Sequence, residues 1–277
     1  MPEGDAIFRA ARTLHRALAG SRVTRFESVF PALTRVDADR PLAGRTVESV
    51  SARGKHLLMR FSGDLVLRTH MRMNGSWHIY RPGERWQRPA RDMRILVATD
   101  DFVAVGFSVP VAELLTLREL SRHKELQALG PDLLAADFDG ADALQRMRGH
   151  PRDAIADALL NQRIIAGIGN VFKSEILFVT GIDPFQPVSA LTDEALVRII
   201  AEAKAQLRAN VLNRSQTLST AVGRRTTRSL DPRETLWVYG RGGKPCRNCG
   251  TPIRAKKTGL DARLTYWCPQ CQQPRSG

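Results

Sequence analysis

The four cysteines of this 277-residue chain stand as Cys246-x2-Cys249-x18-Cys268-x2-Cys271, and no other cysteine occurs. Two thiol pairs, each on a tight turn, supply four soft ligands at the spacing that tetrahedral Zn²⁺ takes in zinc ribbons and fingers. Four free thiols or a redox pair are the other uses of such a pattern. A disulfide framework would spread its cysteines along the chain. The pattern predicts one structural Zn²⁺ ion carried by a β-hairpin between Leu236 and Cys271. Four protein ligands leave no open position for a catalytic water. The spacer holds Arg254, Lys256, Lys257 and Arg263, which serve either as a solvated basic surface or as cations presented to phosphate.

The charge balance of the whole chain points to a polyanionic partner. Forty-two Lys+Arg against 28 Asp+Glu leave a net +14, and Arg outnumbers Lys 35 to seven. Neutral metabolites do not call for such a surface, whereas a polyanion is attracted to one, and the forked guanidinium suits phosphate. At 43% hydrophobic residues the chain can build a real core, which argues against disorder. No stretch reaches the roughly 20 apolar residues of a membrane helix. The start, MPEGDAIFR, is acidic where a secretory signal is basic. The expectation is a cytoplasmic, nucleoid-associated protein with no membrane association. No coiled-coil pattern asks for an oligomer, so a monomer is expected.

Ile7, Ala10, Ala11, Leu14 and Leu18 recur at helical spacing, predicting a helix over Asp5–Leu18 that ends at Gly20. Short β-like runs follow at Val47–Ser51, Leu57–Phe61, Leu65–Thr69, Trp77–Tyr80, Ile95–Ala98 and Phe102–Gly106, the spacing of a sandwich or barrel. Arg81–Asp92, rich in Arg and Pro, reads as an exposed loop. From Glu113 the character turns helical, with helices predicted over Leu114–Leu126, Ala141–Arg148, Asp153–Gln162, Asn170–Val179 and Asp193–Ala209. Gly130-Pro131 marks a break, so the domains are expected at 1–128, 135–235 and 236–277. Asn213–Asp231 reads as a mobile loop.

Four further motifs carry chemistry, each with an ordinary alternative. Removal of Met1 would leave Pro2 as a secondary amine, which titrates well below Lys and can attack an aldehyde-like carbon to give a cationic iminium. Glu3 beside it could move a proton, or could simply favour a helix start. Ala166-Gly167-Ile168-Gly169-Asn170 suits either an ordinary turn between helices or a phosphate site on backbone amides, with Asn170 capping the helix. Arg53-Gly54-Lys55-His56 would project Lys55 from a strand start. His70-Met71-Arg72-Met73-Asn74-Gly75 offers a wedge for a base stack, against core packing for Met73 and a structural role for His70.

Met-Pro-Glu-Gly-Asp at the start, Arg-Gly-Lys-His at 53–56, His-x-Arg-Met-x-Gly at 70–75 and Leu-Gly-Pro-Asp at 129–132 occur in this order. Ala-Gly-Ile-Gly-Asn at 166–170, Val-Tyr-Gly-Arg at 238–241 and the four-cysteine finger follow. In this combination the chain resembles the formamidopyrimidine-DNA glycosylase/endonuclease VIII (Fpg/Nei) family of base-excision repair enzymes, from residue 1 to about residue 272. The resemblance implies an α+β protein: an N-terminal β-sandwich with an N-terminal helix, then a helical domain with a helix–two-turns–helix motif and a zinc-finger β-hairpin.

It further implies that Pro2 is the Schiff-base nucleophile at C1′ of a damaged nucleotide and that Glu3 donates a proton to the opened sugar. Lys55 would serve phosphate contact and β-elimination. Asn170 and Arg263 would grip the lesion's phosphates, Arg263 also serving δ-elimination. His70 and Arg72 would lie near the backbone or the opposite base, Met73 would fill the space left by the extruded base, and Asn74, a small polar residue where an aromatic stands in other members, would bind DNA beside it. The partner implied is damaged DNA, double-stranded or single-stranded. The 8-oxoguanine branch takes further void-filling residues from an Arg-Arg/Lys-Phe-Gly loop, absent from Asp100–Ser108 here, and the Asn213–Asp231 segment is short. Both features point to the endonuclease VIII branch and oxidised pyrimidines. The rival readings are an oxidised-purine glycosylase of the same fold and a non-catalytic zinc-containing nucleic-acid-binding protein. Pro2, Glu3 and Lys55 separate the enzymes from the last, because binding alone does not require them.

Overall fold

Ile7, Ala11, Leu14 and Leu18 line one buried face of α1 (Gly4–Leu18). Asp5 in its first turn and Arg16 in its last complement the helix dipole, and Gly20, at φ +82°, turns the chain away. The computed structural model describes residues 2–212, 224–229, 231–259 and 262–274. They fall into two units, one up to Ala128 and one from Leu129 onward.

The first unit continues with β1 (Arg25–Ser28), α2 (Pro31–Asp39), β2 (Val47–Arg53), β3 (His56–Phe61), β4 (Leu65–His70), β5 (Ser76–Tyr80), β6 (Met93–Ala98), β7 (Val103–Phe107) and β8 (Val111–Thr116). Two four-stranded antiparallel sheets result, ordered β2-β3-β4-β8 and β1-β6-β7-β5. Alternate residues Leu57, Met59, Phe61, Leu65 and Leu67 of the first sheet share one apolar cluster with Trp77, Ile95, Val97 and Ala104 of the second and with the α1 face. This is the expected sandwich with its N-terminal helix. Trp77 Nε1 crosses between the sheets to donate to Thr69 Oγ1 at 3.2 Å, so the buried indole keeps a partner.

The helix expected over Leu114–Leu126 does not form. Leu114 and its neighbours extend the first sheet instead, with Leu67↔Leu114 and His70↔Val111 in register. Helix begins only where Thr116 and Glu119 form a reciprocal capping box, giving α3 (Leu117–Ser121) and then α4 (Lys124–Gln127). The run of leucines fits either period, and pairing with β4 decides between them. Strand β1 and helix α2 were not legible as elements, being short and weakly patterned.

The second unit holds α5 (Gly140–Arg148), α6 (Ile155–Leu160), α7 (Asn170–Thr180), α8 (Asp193–Leu212), β9 (Arg254–Thr258) and β10 (Arg263–Trp267). Helix α6 is shorter than the expected Asp153–Gln162, and α8 is longer than Asp193–Ala209. Asp139 caps α5 by accepting from the amides of Ala141 and Asp142. Helix α7 is buried all round, from Asn170 to Phe178, and its Ile176 and Phe172 pack with Leu159, Ile164, Leu196 and Ile199. Gly130 approaches the 161–169 turn so closely that a Cβ there would lie 2.4 Å from the Ile164 carbonyl oxygen. β9 and β10 pair as an antiparallel hairpin inside the segment expected to form one. Of the expected 213–231 loop, residues 213–223 and 230 lie outside the described residues. Among the described residues no helix is long and apolar enough to cross a membrane.

Candidate nucleic-acid interface and metal centre

In the first unit the residues singled out from sequence gather at one end. Gly20 N donates to Val47 O at 2.8 Å, and Val50 N donates to His15 Nδ1 at 3.1 Å. Helix α1 therefore runs antiparallel to β2, and its Pro2 end points the way β2 runs, toward the turn bearing Lys55. Glu3 caps α1 in extended conformation and is fully buried, while Pro2 is half-buried. Lys55 occupies a two-residue hairpin turn just before β3, rather than the strand start. Gly54 precedes it at φ +58°, a conformation that only glycine adopts without strain.

At the same end His56 and His70 are direct cross-strand partners, with ring centroids 4.8 Å apart and edge-on. Lys55, Arg72 and Arg68 lie close enough to depress the His70 pKa, but burial acts first, and together they bring it down to about 4 against the opposing pull of Glu125. His70 is thus neutral at physiological pH. The following Met71–Gly75 loop thrusts Met73 into solvent, 63% exposed, so the core-packing alternative for Met73 fails.

Beneath this end lies a polar layer that sequence reasoning missed. Arg68, at 1% exposure, reaches Glu113 on β8 and Glu125 on α4, and His123 Nε2 lies 3.1 Å from Glu113. Burial, then Arg68, His70, His123 and Arg53, hold His56 far below the ordinary histidine range. Arg88 was also missed, in the loop expected to be merely exposed. It donates from Nη1 to Asn74 O at 3.4 Å and Ser76 Oγ at 3.1 Å, and from Nη2 to Ser108 Oγ at 3.3 Å. No local spacing flags such residues, because their partners lie up to 57 positions away.

In the second unit, Asn170 and Arg263 come together across α7 and β10. Asn170 begins α7, the Gly167-Ile168-Gly169 turn leading into it with Gly167 at φ +107°. Asn170 does not cap the helix with its side chain. Its Nδ2 donates instead to the Leu264 carbonyl at 2.9 Å, one residue after Arg263. One turn on, the fully buried Lys173 donates from Nζ to Thr265 Oγ1 at 2.7 Å, and that hydroxyl lies 2.7 Å from Thr258 Oγ1 on β9. The hairpin is thereby fixed to the helix whose N-terminal amides favour an anion. Arg254, Lys256 and Lys257 are exposed on β9.

Cys246, Cys249, Cys268 and Cys271 bring their sulfurs within 4.8 Å of one another. Three of the separations are 3.9 Å (Cys246–Cys271), 3.5 Å (Cys249–Cys268) and 3.5 Å (Cys249–Cys271). A tetrahedron with Zn–S bonds of about 2.3 Å has edges of about 3.8 Å, so the set fits zinc and is far too open for disulfides. Hydrogen bonds from Thr251 lower the Cys249 thiol to about 6, whereas burial pushes Cys271 up to about 12. Four coexisting thiolates therefore require a cation among them. The centre packs on Phe178, Val238 and Ile253.

Glu175 of α7 completes this region and was not anticipated. Its carboxylate accepts from the amides of Trp237 (2.7 Å), Val238 (2.9 Å) and Tyr239 (2.8 Å) and from the Thr226 hydroxyl. It therefore anchors the segment that leads into the metal-binding finger.

Three family models match the chain: the formamidopyrimidine-DNA glycosylase N-terminal domain over residues 1–108, the formamidopyrimidine-DNA glycosylase H2TH domain over 129–222, and the zinc finger found in FPG and IleRS over 243–274. The probable endonuclease 8 2 of Streptomyces coelicolor is 43% identical over 283 residues, covering 100% of this chain and 97% of that protein. The endonuclease 8 2 of Mycobacterium tuberculosis is 40% identical, covering 99% and 100%. The DNA-(apurinic or apyrimidinic site) lyase Nei2 of Mycolicibacterium smegmatis is 39% identical, covering 98% and 99%. Among solved structures, the Lactococcus lactis Fpg in complex with abasic-site DNA shares the fold, with a TM-score of 0.82 at 24% identity over 98% of this chain and 100% of that one.

Proposed function

The chain belongs to the formamidopyrimidine-DNA glycosylase/endonuclease VIII family, and from that premise we propose how it works as a DNA glycosylase and AP lyase of base-excision repair. Its partner is damaged DNA, and one structural zinc ion holds its finger. With Met1 removed, the Pro2 amine attacks C1′ of the damaged nucleotide and the base departs, leaving an iminium on the ring-opened sugar. Glu3 supplies the proton that opens the sugar at O4′. The iminium acidifies the C2′ proton, whose loss expels the 3′ phosphate by β-elimination. A second elimination can release the 5′ phosphate. Lys55 contacts phosphate and assists β-elimination. Asn170 and Arg263 grip phosphate, and Arg263 assists the second step. His70 and Arg72 contact the backbone or opposite base, Met73 fills the vacated stack, and Asn74 binds DNA beside it. The zinc ion takes no part in these steps, its four positions being filled by sulfur.

The observation that most supports the chemistry is Glu3, a carboxylate fully buried at the start of α1 next to Pro2. The positive end of the helix dipole also disfavours protonation of an amine there, keeping it nucleophilic. Oxidised pyrimidines are the favoured substrates, because Asp100–Ser108 offers no Arg-Phe pair to fill the stack as the oxidised-purine branch does. The protein acts as a monomer in the cytoplasm, at the nucleoid, in the three-part organisation 1–128, 135–235 and 236–277.

Borohydride trapping on an abasic-site oligonucleotide tests the nucleophile. Protein with its native N-terminus should give a covalent adduct, and Pro2→Gly should not. No adduct from folded, zinc-loaded protein that binds the DNA would favour a binding module instead. Faster cutting of 8-oxoguanine than of thymine glycol or dihydrouracil would sink the pyrimidine assignment.

A further inference from the structure

The loop that carries Met73 has an unusual backbone. Arg72 sits at φ +43°, in the left-handed region that disfavours any residue with a β-carbon. Gly75 N closes the loop on Met71 O at 2.9 Å, and a Cβ on Gly75 would lie 2.6 Å from that oxygen. The loop is therefore tight, and something must hold Arg72 in a conformation that it does not favour. The holder is visible: the Arg72 N–H donates to His70 Nδ1 at 3.1 Å.

We propose that His70 is a positioning residue for the void-filling loop: its Nδ1, accepting the Arg72 amide, fixes the left-handed Arg72 from which Met73 projects. The inference rests on the reading of Met73 as the residue that fills the stack. It adds a second function to the place near the DNA backbone or the opposite base that the family resemblance implies for His70. An imidazolium has no acceptor, so the bracket requires the neutral ring, with its proton on Nε2. That proton is then the one that can donate to a phosphate oxygen.

The surroundings enforce this state. Burial first, then Arg72 on the loop, Lys55 in the β2–β3 turn and Arg68 on β4 oppose a positive ring, against the pull of Glu125 of α4. His56 on β3 stacks edge-on against His70 and fixes its plane. The wedge is thus set before DNA arrives, and no ordering of the loop has to be driven by binding.

Two substitutions separate the two nitrogens. In His70→Asn the side-chain oxygen stands where Nδ1 stood and can still accept the amide. In His70→Gln the amide reaches toward the Nε2 position and leaves Arg72 N–H without its acceptor. Two readouts apply to the intact, zinc-loaded protein. One is the fluorescence of 2-aminopurine placed opposite an abasic-site analogue, with Met73→Ala as the control for stack filling. The other is the pair of ring-nitrogen NMR shifts of 15N-histidine-labelled protein, with His70 assigned by its loss in His70→Asn.

At pH near 7 the native ring should show the neutral Nε2–H tautomer. His70→Asn, which also removes the Nε2 donor, should weaken binding yet keep most of the fluorescence amplitude at saturating protein, whereas His70→Gln should lose amplitude severalfold because Met73 is no longer held in place. An Nδ1–H tautomer or an imidazolium in the native protein would overturn the bracket. So would a larger loss of amplitude in His70→Asn than in His70→Gln, which would assign the effect to the Nε2 contact. An unchanged signal in Met73→Ala would overturn the reading of Met73 instead, and the ring nitrogens would still decide the role of His70.

Discussion

The Asn170 side chain donates to the Leu264 carbonyl at 2.9 Å, tying the first residue of α7 to the residue after Arg263. A hydrogen bond across 94 positions of chain therefore joins Asn170 to the neighbour of Arg263, the other residue expected to grip phosphate. Asn170→Ala should loosen the start of β10 as well as remove a side chain, lowering affinity for abasic-site DNA about tenfold while thermal stability falls by only about 1 kcal/mol. Fluorescence anisotropy and calorimetry on the same sample check this. Unchanged affinity would show that the tie does not matter to binding.

The buried Glu175 carboxylate makes a different prediction. Three amides and one hydroxyl converge on it, and charge-assisted bonds of this kind are about twice as strong as neutral ones. Glu175→Gln places an NH2 among donors and should destabilise the second unit by about 2–4 kcal/mol. Limited proteolysis should then cut between α8 and the finger. A variant as stable as the native chain in urea would contradict the clamp.

Acid should weaken the first unit before it affects carboxylates. His56, His70 and His78 all have folded pKa values below the model-peptide value, so below about pH 6.5 the unfolded chain takes up protons that the folded chain refuses. Protons bound by the unfolded state then exceed those bound by the native state, and stability rises with pH through this window. It is complete above about pH 6.5 and is lost as pH falls toward 4, the pKa of His70. Urea midpoints followed by tryptophan fluorescence at about pH 7.5 and about pH 5 should differ, and His56→Gln should shrink the difference. Equal midpoints in the native protein would refute the assignment.

Removing zinc with a chelator should unfold the finger and abolish DNA binding, while the first unit keeps its sheet signal. The centre packs only a small apolar cluster, too little to hold the hairpin without the metal. Full binding by metal-free protein would show that the finger is dispensable.

Local pattern carried much of the fold. The α1 face, the strands around Leu57 and Leu67, and the long α8 were legible, because each is a repeat of two or 3.6 residues over a contiguous run. The stretch after Glu113 misled for the same reason: its leucines satisfy a helical spacing, and only the neighbouring β4 makes them a strand. The missed residues of the site share one property. Arg68 meets Glu125, Lys173 meets Thr265 and Glu175 meets Trp237 at separations of 57, 92 and 62 residues.

By itself the sequence determined the metal centre, the basic surface, the nucleophile candidate and the order of motifs that marks the family. Each depends on residue type at short spacing, where chain geometry leaves few alternatives. Tertiary structure alone decided that His70 is neutral and brackets Arg72, that Met73 stands in solvent, and that Asn170 is spent on a strand rather than on its helix cap. Burial and the charges of distant residues set those states, and both exist only once the chain has closed on itself.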